Sequence, residues 1–156
     1  MRPSHITIKL TLLAFLFATI NLHAQDLASA ATSRATIVEY AVKERPVLVE
    51  LLTTAGLLPV LSGDAPYTLF APPEAALKAL KGQPADKVKL VMSGHIVKGK
   101  YTEKDLKDGA KLETLNGQNI TICRKTNTLV NGVAITKADT ELKNGVVHDL
   151  SSTLTY

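Results

Sequence analysis

The hydrophobic pattern changes period halfway along this chain. From Thr36 to Gly94 the apolar residues recur at helical spacing. From His95 onward they come in short runs separated by Asn-Gly pairs. In Thr36-Ile37-Val38-Glu39-Tyr40-Ala41-Val42 that spacing predicts a helix capped by Thr36. Pro46 is suited to open a second helix, with Val47, Leu48, Leu51 and Leu52 inward and Gly56 closing it. Leu57, Leu58, Val60 and Leu61 form a short apolar segment around Pro59. Tyr67-Thr68-Leu69-Phe70-Ala71 reads as a strand, stopped by Pro72 and Pro73, which cannot donate to a ladder. Glu74 to Leu80 is helical, and Pro84-Ala85-Asp86 opens a helix whose inner face is Val88, Val91 and Met92.

The second half predicts strands at Leu112–Leu115, Asn119–Cys123, Thr128–Val130, Val133–Thr136 and Val146–Leu150, with turns at Asn116-Gly117, Asn131-Gly132 and Asn144-Gly145. Helices first and strands afterwards indicate an α+β fold rather than alternating α/β.

The N-terminal segment follows a different pattern. Arg2 and Lys9 precede an apolar run from Leu10 to Ile20, and Asn21 to Ala24 ends in a small residue. This is the layout of a signal peptide over residues 1–24. The run is about 11 residues, short of the roughly 20 that a membrane span needs. Residues 25–35, rich in Ala, Ser and Thr, read as a flexible lead-in, and residues 36–156 as one domain. The expected location is secreted or periplasmic, with no membrane-spanning segment in the mature chain.

The formal charge of the whole chain is +4, but without Arg2 and Lys9 it is +2, from 16 basic and 14 acidic residues. The charges are interspersed, so the concentrated basic stripe of a nucleic-acid binder is missing. Cys123 is the only cysteine, which excludes an internal disulfide. With no Trp there is no obvious stacking platform for sugars. Asn119-Ile120-Thr121 matches a glycosylation sequon, which matters only in a eukaryotic secretory pathway.

Two boxes carry a family resemblance. Tyr67-Thr68-Leu69-Phe70-Ala71-Pro72-Pro73-Glu74-Ala75-Ala76-Leu77 and Asn144-Gly145-Val146-Val147-His148-Asp149-Leu150-Ser151-Ser152-Thr153-Leu154 resemble the signature boxes of the fasciclin (FAS1) domain. Pro84 to Val88, His95-Ile96-Val97, Thr114 to Gly117 and Val130-Asn131-Gly132 agree with it in order and spacing. The resemblance implies helices packed on a wedge of two β-sheets. It implies a non-enzymatic adhesion or binding module whose partner is an extracellular protein or polysaccharide. Thr68, Phe70, Ala71, Pro72, His95, Asn144, Gly145 and His148 are its structural motif residues.

Departures mark where surface chemistry has drifted. Gly94 stands where the family often has Tyr before the mid-chain His, a region linked to integrin binding in animal members. Pro73 and Leu77 replace the usual Thr and Phe, Asp149 an apolar residue, and Ser151 an Asp.

No residue set makes a complete active site. His95 and His148 lie in apolar surroundings and read as buried, backbone-bonded histidines; His148 is expected to hold the chain end to the core. With Cys123 they supply too few ligands for zinc, so neither a metal nor a cofactor is expected. A Cys123–His dyad or a serine-based set would make the chain a secreted hydrolase of esters or glycan-linked substrates, the alternative function. Tyr40 and Tyr67 read as core. The zone from Val97 to Asp108, with Tyr101 an isolated aromatic among lysines, gives Lys98, Lys100 and Tyr101 as candidate partner-binding residues. Short strands flanked by lysines discourage edge pairing, so a monomer is expected.

Overall fold

Thr36 starts the helical layer as its sequence position suggests. In the computed structural model, which describes residues 34–156, its hydroxyl accepts from Glu39 N while Glu39 accepts from Thr36 N, a reciprocal capping box. The signal-peptide reading and residues 25–33 of the lead-in lie outside the described residues. Ala35, placed in the lead-in by composition, belongs to the domain: its carbonyl accepts from Lys143 N at 2.9 Å.

The helices are α1 (Ile37–Glu44), α2 (Pro46–Thr54), α3 (Leu58–Ser62), α4 (Glu74–Lys78) and α5 (Ala85–Gly94). Pro46 opens α2 where its missing N–H costs nothing, and Gly56, at φ 66°, lets the chain leave with Leu57 N bonded to Leu52 O. The carboxylate of Glu74 reaches back to accept from Val47 N and Leu48 N, two donors that α2 cannot satisfy itself. The apolar segment around Pro59 is α3, one short helix that buries Leu61.

The strands are β1 (Tyr67–Ala71), β2 (Ile96–Lys98), β3 (Lys111–Glu113), β4 (Asn119–Arg124), β5 (Thr128–Val130), β6 (Val133–Leu142) and β7 (Gly145–Leu150). Their order is β2-β1-β7-β6-β5-β4-β3. Only β1 and β7 run parallel; every other pair is antiparallel. The fold is α+β, and the two sheets of the expected wedge form one continuous ladder joined through β6. The Val97–Thr114 bridge and the bond from Leu115 N to Ile96 O bring β2 and the end of β3 together.

β3 is Lys111–Glu113 rather than Leu112–Leu115, α4 ends at Lys78 rather than Leu80, and two further segments differ more from the sequence reading. β6 runs on to Leu142 rather than stopping at Thr136. Lys137 to Glu141 lacks apolar alternation and so carries no strand signal. The strand continues through two register shifts, with Asp139 at φ 57°. The β6–β7 turn is Lys143-Asn144, and Gly145 already pairs with Leu142. Glycine is needed at 145 for proximity: a Cβ there would stand 2.0 Å from the Tyr67 carbonyl oxygen on β1.

β1 and β7 are buried on both faces, and alternation sends their side chains into two cores. Leu69, Ala71 and Val147 meet Leu48, Leu51, Leu52, Leu77 and Met92 of the helical layer. Phe70 and Leu150 face Val97, Leu106, Ile120, Ile122 and Val130 among the strands. Tyr40 and Tyr67 are only partly buried, packed on the rim of the first core.

Candidate functional site

The parallel β1–β7 seam places Phe70 opposite His148, and their rings stack at 5.4 Å. His148 is fully buried. Its Nε2–H donates to the Tyr101 carbonyl at 2.8 Å, and its Nδ1 accepts from Asp139 N at 3.2 Å. These partners assign the neutral tautomer with the proton on Nε2. Burial holds the ring's pKa below its usual value, against the bond to Tyr101 and the nearby carboxylates of Asp139, Glu103 and Asp149.

Thr68, two residues before Phe70, grips the same loop. Its hydroxyl accepts from Tyr101 N at 2.9 Å and donates to the Gly99 carbonyl at 2.8 Å. One residue from each box therefore holds the backbone of Tyr101 from opposite sides. Beyond it, Glu103 N donates to Asp139 Oδ1, tying the loop to the bulge in β6. Thr68 and His148 carry sequence signals as motif members. The part played by Asp139 carries none, because it depends on a bulge set by tertiary pairing.

His95 holds the chain end, the task the sequence reading gave to His148. Its Nδ1–H donates to Val91 O at 2.8 Å, and its Nε2 accepts from Leu154 N at 2.9 Å. Burial lowers its pKa too, against the bond to Val91. His148 cannot do this because its ring points to the loop and the bulge. Next to His95, the Tyr156 hydroxyl donates to the Gly94 carbonyl. A Cβ at position 94 would lie 2.6 Å from that hydroxyl oxygen and 2.8 Å from Asn116 Nδ2. The glycine that departs from the family pattern thus receives the chain end.

A second departure also has a partner. Asp149 pairs with Arg45, and both side chains are mostly buried. Asn144 makes three interior bonds: its Oδ1 accepts from Ile37 N, and its Nδ2 donates to the carbonyls of Leu61 and Gly63. It fastens the start of α1 and the end of α3 to the β6–β7 turn.

The structure spreads the three candidate partner-binding residues across different settings. Tyr101 is half-buried and packs on the strand-side core, so it is not an isolated exposed aromatic. Its ring lines a concavity of 360 Å³ together with Val97, Lys98, Lys111 and Thr114. Lys98 is exposed at that mouth, whereas Lys100 pairs with Glu141 of β6 at 2.7 Å. An adjoining groove of 510 Å³ runs past Leu57, Val60, Tyr67 and Leu90, and shares Lys98 and Leu115 with the first. Sequence reasoning missed this groove, since its walls come from four separate elements.

Both described histidines spend both ring nitrogens on backbone partners, which leaves neither free to activate Cys123. That thiol is partly buried on β4, opposite Leu129. Ser151 and Ser152 are exposed after β7, and Asn119 is exposed at the start of β4. Among the described residues no group of three His, Cys, Asp or Glu side chains stands close enough to hold a metal ion.

Comparison with known proteins gives concordant matches. The fasciclin domain family model matches residues 44–156. Protein sll1483 of Synechocystis is 31% identical over 132 residues, covering 77% of this chain and 73% of that protein. Human periostin is 27% identical over 114 residues, 72% of this chain but 14% of its own length. Among solved structures, a FAS1 domain pair from the insect cell adhesion molecule fasciclin I superposes with a TM-score of 0.63 at 18% identity. The chain covers about half of that pair (52%), with 80% of its own length matched.

Proposed function

The chain belongs to the fasciclin domain family, and on that premise we propose that it is a secreted, monomeric binding module that engages an extracellular protein or polysaccharide. The family is known for adhesion modules, includes secreted and extracellular proteins, and is generally non-catalytic. No helix among the described residues is long and apolar enough to cross a membrane.

The observation that carries the reading is the grip on the Gly99–Tyr101 loop. Thr68 and His148, buried members of the two boxes, fix both polar groups of the Tyr101 backbone. Binding loops on a rigid support lose less freedom when a partner arrives. Tyr101 and Lys98 offer that partner an aromatic face and an ammonium at one concavity.

The test is capture from an extracellular fraction. Wild-type protein is expected to retain a component that Tyr101→Ala and Lys98→Glu lose while both stay folded, Lys98→Glu with the wild-type melting curve and Tyr101→Ala with a lower one because its ring packs on the strand-side core. Lys100→Glu should weaken capture less, because Lys100 is already engaged by Glu141. Capture that ignores all three changes would reject the patch. Turnover of model esters or polysaccharides that disappears in Cys123→Ser would replace the binding module with a hydrolase. A stable dimer at micromolar concentration in light scattering would reject the monomer.

A further inference from the structure

Four large hydrophobic side chains stand exposed among the described residues, and two of them, Val60 and Leu90, line the same groove. Val60 is 36% exposed on α3 and Leu90 57% exposed on α5. Single exposed apolar residues are ordinary. Together with Leu57, Tyr67 and Leu115, these two give the groove an apolar lining, alongside the polar Asp86, Lys89, Ser93, Lys98 and Asn116. Its 510 Å³ falls within the size range of small-ligand sites.

The rim adds charge. Lys89 and Lys98 both line the groove, and among the described residues neither ammonium has a carboxylate within salt-bridge distance. The one acidic side chain on the rim, Asp86, sits one helical turn before Leu90 on α5. Lys98 and Leu115 also line the neighbouring concavity, whose walls include Lys111, Glu113 and Thr114. Lys98 therefore stands where the groove opens onto a polar hollow. Its aliphatic stem can lie along Tyr67 and Leu115 while its charge faces the opening.

We propose that this groove binds a small amphiphile with an unbranched apolar chain and a single carboxylate. The chain lies between Val60 and Leu90, and the carboxylate meets Lys98. A neutral molecule would leave the ammonium unused, and a cation would meet two lysines against one aspartate. The site shares Lys98 with the macromolecular reading but not Tyr101, which lines only the neighbouring concavity, so Tyr101→Ala tells the two apart.

The probe is decanoate, titrated below its micelle concentration into ¹⁵N-labelled protein, with decanol and decylamine as neutral and cationic counterparts. Decanoate is expected to shift the amides of Val60, Leu90, Lys98 and Leu115 saturably. Lys98→Gln should weaken decanoate about tenfold, the value of one hydrogen bond to a charged group, and leave decanol unchanged. Leu90→Asp should abolish both. Tyr101→Ala should leave decanoate binding intact even if it abolishes macromolecular capture. Lys98 and Leu90 are exposed, so both variants should keep the wild-type melting temperature. Shifts that do not saturate or that fall outside the groove would overturn the proposal. So would decanol or decylamine binding as tightly as decanoate, or a Lys98→Gln variant that binds like wild type.

Discussion

The two cores flanking the β1–β7 seam are built on different principles. The helix-side core is a broad layer of Leu, Ile and Val contributed by all five helices, with the Asn144 side chain buried at its margin. The strand-side core is smaller, and His148 and Thr68 lie beside it with a full set of bonds. One side gains stability from apolar area. The other also fixes a single arrangement of a surface loop, because a buried polar group tolerates few geometries. The loop that carries Tyr101 is attached to the second kind of core.

The most severe way to break this comparison is to part the seam that both cores share. Gly145→Ala puts a methyl group against the Tyr67 backbone, where no flexible side chain can yield. A loss of about 3 kcal/mol or more is expected in denaturant unfolding. Asn144→Ala should come next. It orphans Ile37 N and removes a partner from two carbonyls, for a loss of roughly 2–3 kcal/mol. That loss should appear in hydrogen exchange as opening of α1 rather than of the Tyr101 loop.

His148→Ala sharpens the contrast from the other side. It leaves the Tyr101 carbonyl and Asp139 N without their partner and should cost about 1–3 kcal/mol. Exchange should rise at Tyr101 and Asp139 while the helical layer stays protected. A melting curve identical to wild type would refute the role.

Acid offers a gentler route. Both described histidines have pKa values held down by burial, so the unfolded chain binds their protons first. Both rings are neutral in both states above the ordinary value of 6.5, where their contribution to stability is complete. As pH falls through 6.5 stability should decline, by up to about 1.4 kcal/mol per unit for each ring, until the folded form protonates as well. His95 should contribute more of the decline, since His148 has the carboxylates of Asp139, Glu103 and Asp149 to favour its charge. Urea midpoints at pH 7 and pH 5 for wild type and His95→Gln would measure it. The smallest effect expected is from Lys100→Ala, at most about 1 kcal/mol, because its pair with Glu141 is exposed.

The legibility of this chain follows the same division. Helical spacing, Pro46, Gly56 and the Thr36 cap locate the first layer because they act locally. β1 is legible in full, being aromatic, β-branched and closed by two prolines. β6 beyond Thr136 is not, since its register is set by partners rather than by its own residues. The candidate site shows the same limit. His148 reads as buried, but its partners Tyr101 and Asp139 lie on elements that the sequence does not connect to it. The division of labour between His95 and His148 depended on the path of the chain end, which no local pattern encodes. Gly94 reads as an erosion until Tyr156 is seen seated on it.

The lone parallel pairing also governs how the molecule is made. β7, the last strand of the domain, lies between β1 and β6, so the two ends of the sheet stay unjoined until Leu150 has been made. A chain emerging from the ribosome exposes the apolar faces of α1 to α3 and both faces of β1 before β7 is there to cover them. Contacts between such distant segments make assembly slow relative to helical proteins of equal size. Until Gly145 to Leu150 are in place, β1 and β2 lack the strand that joins them to the rest of the sheet.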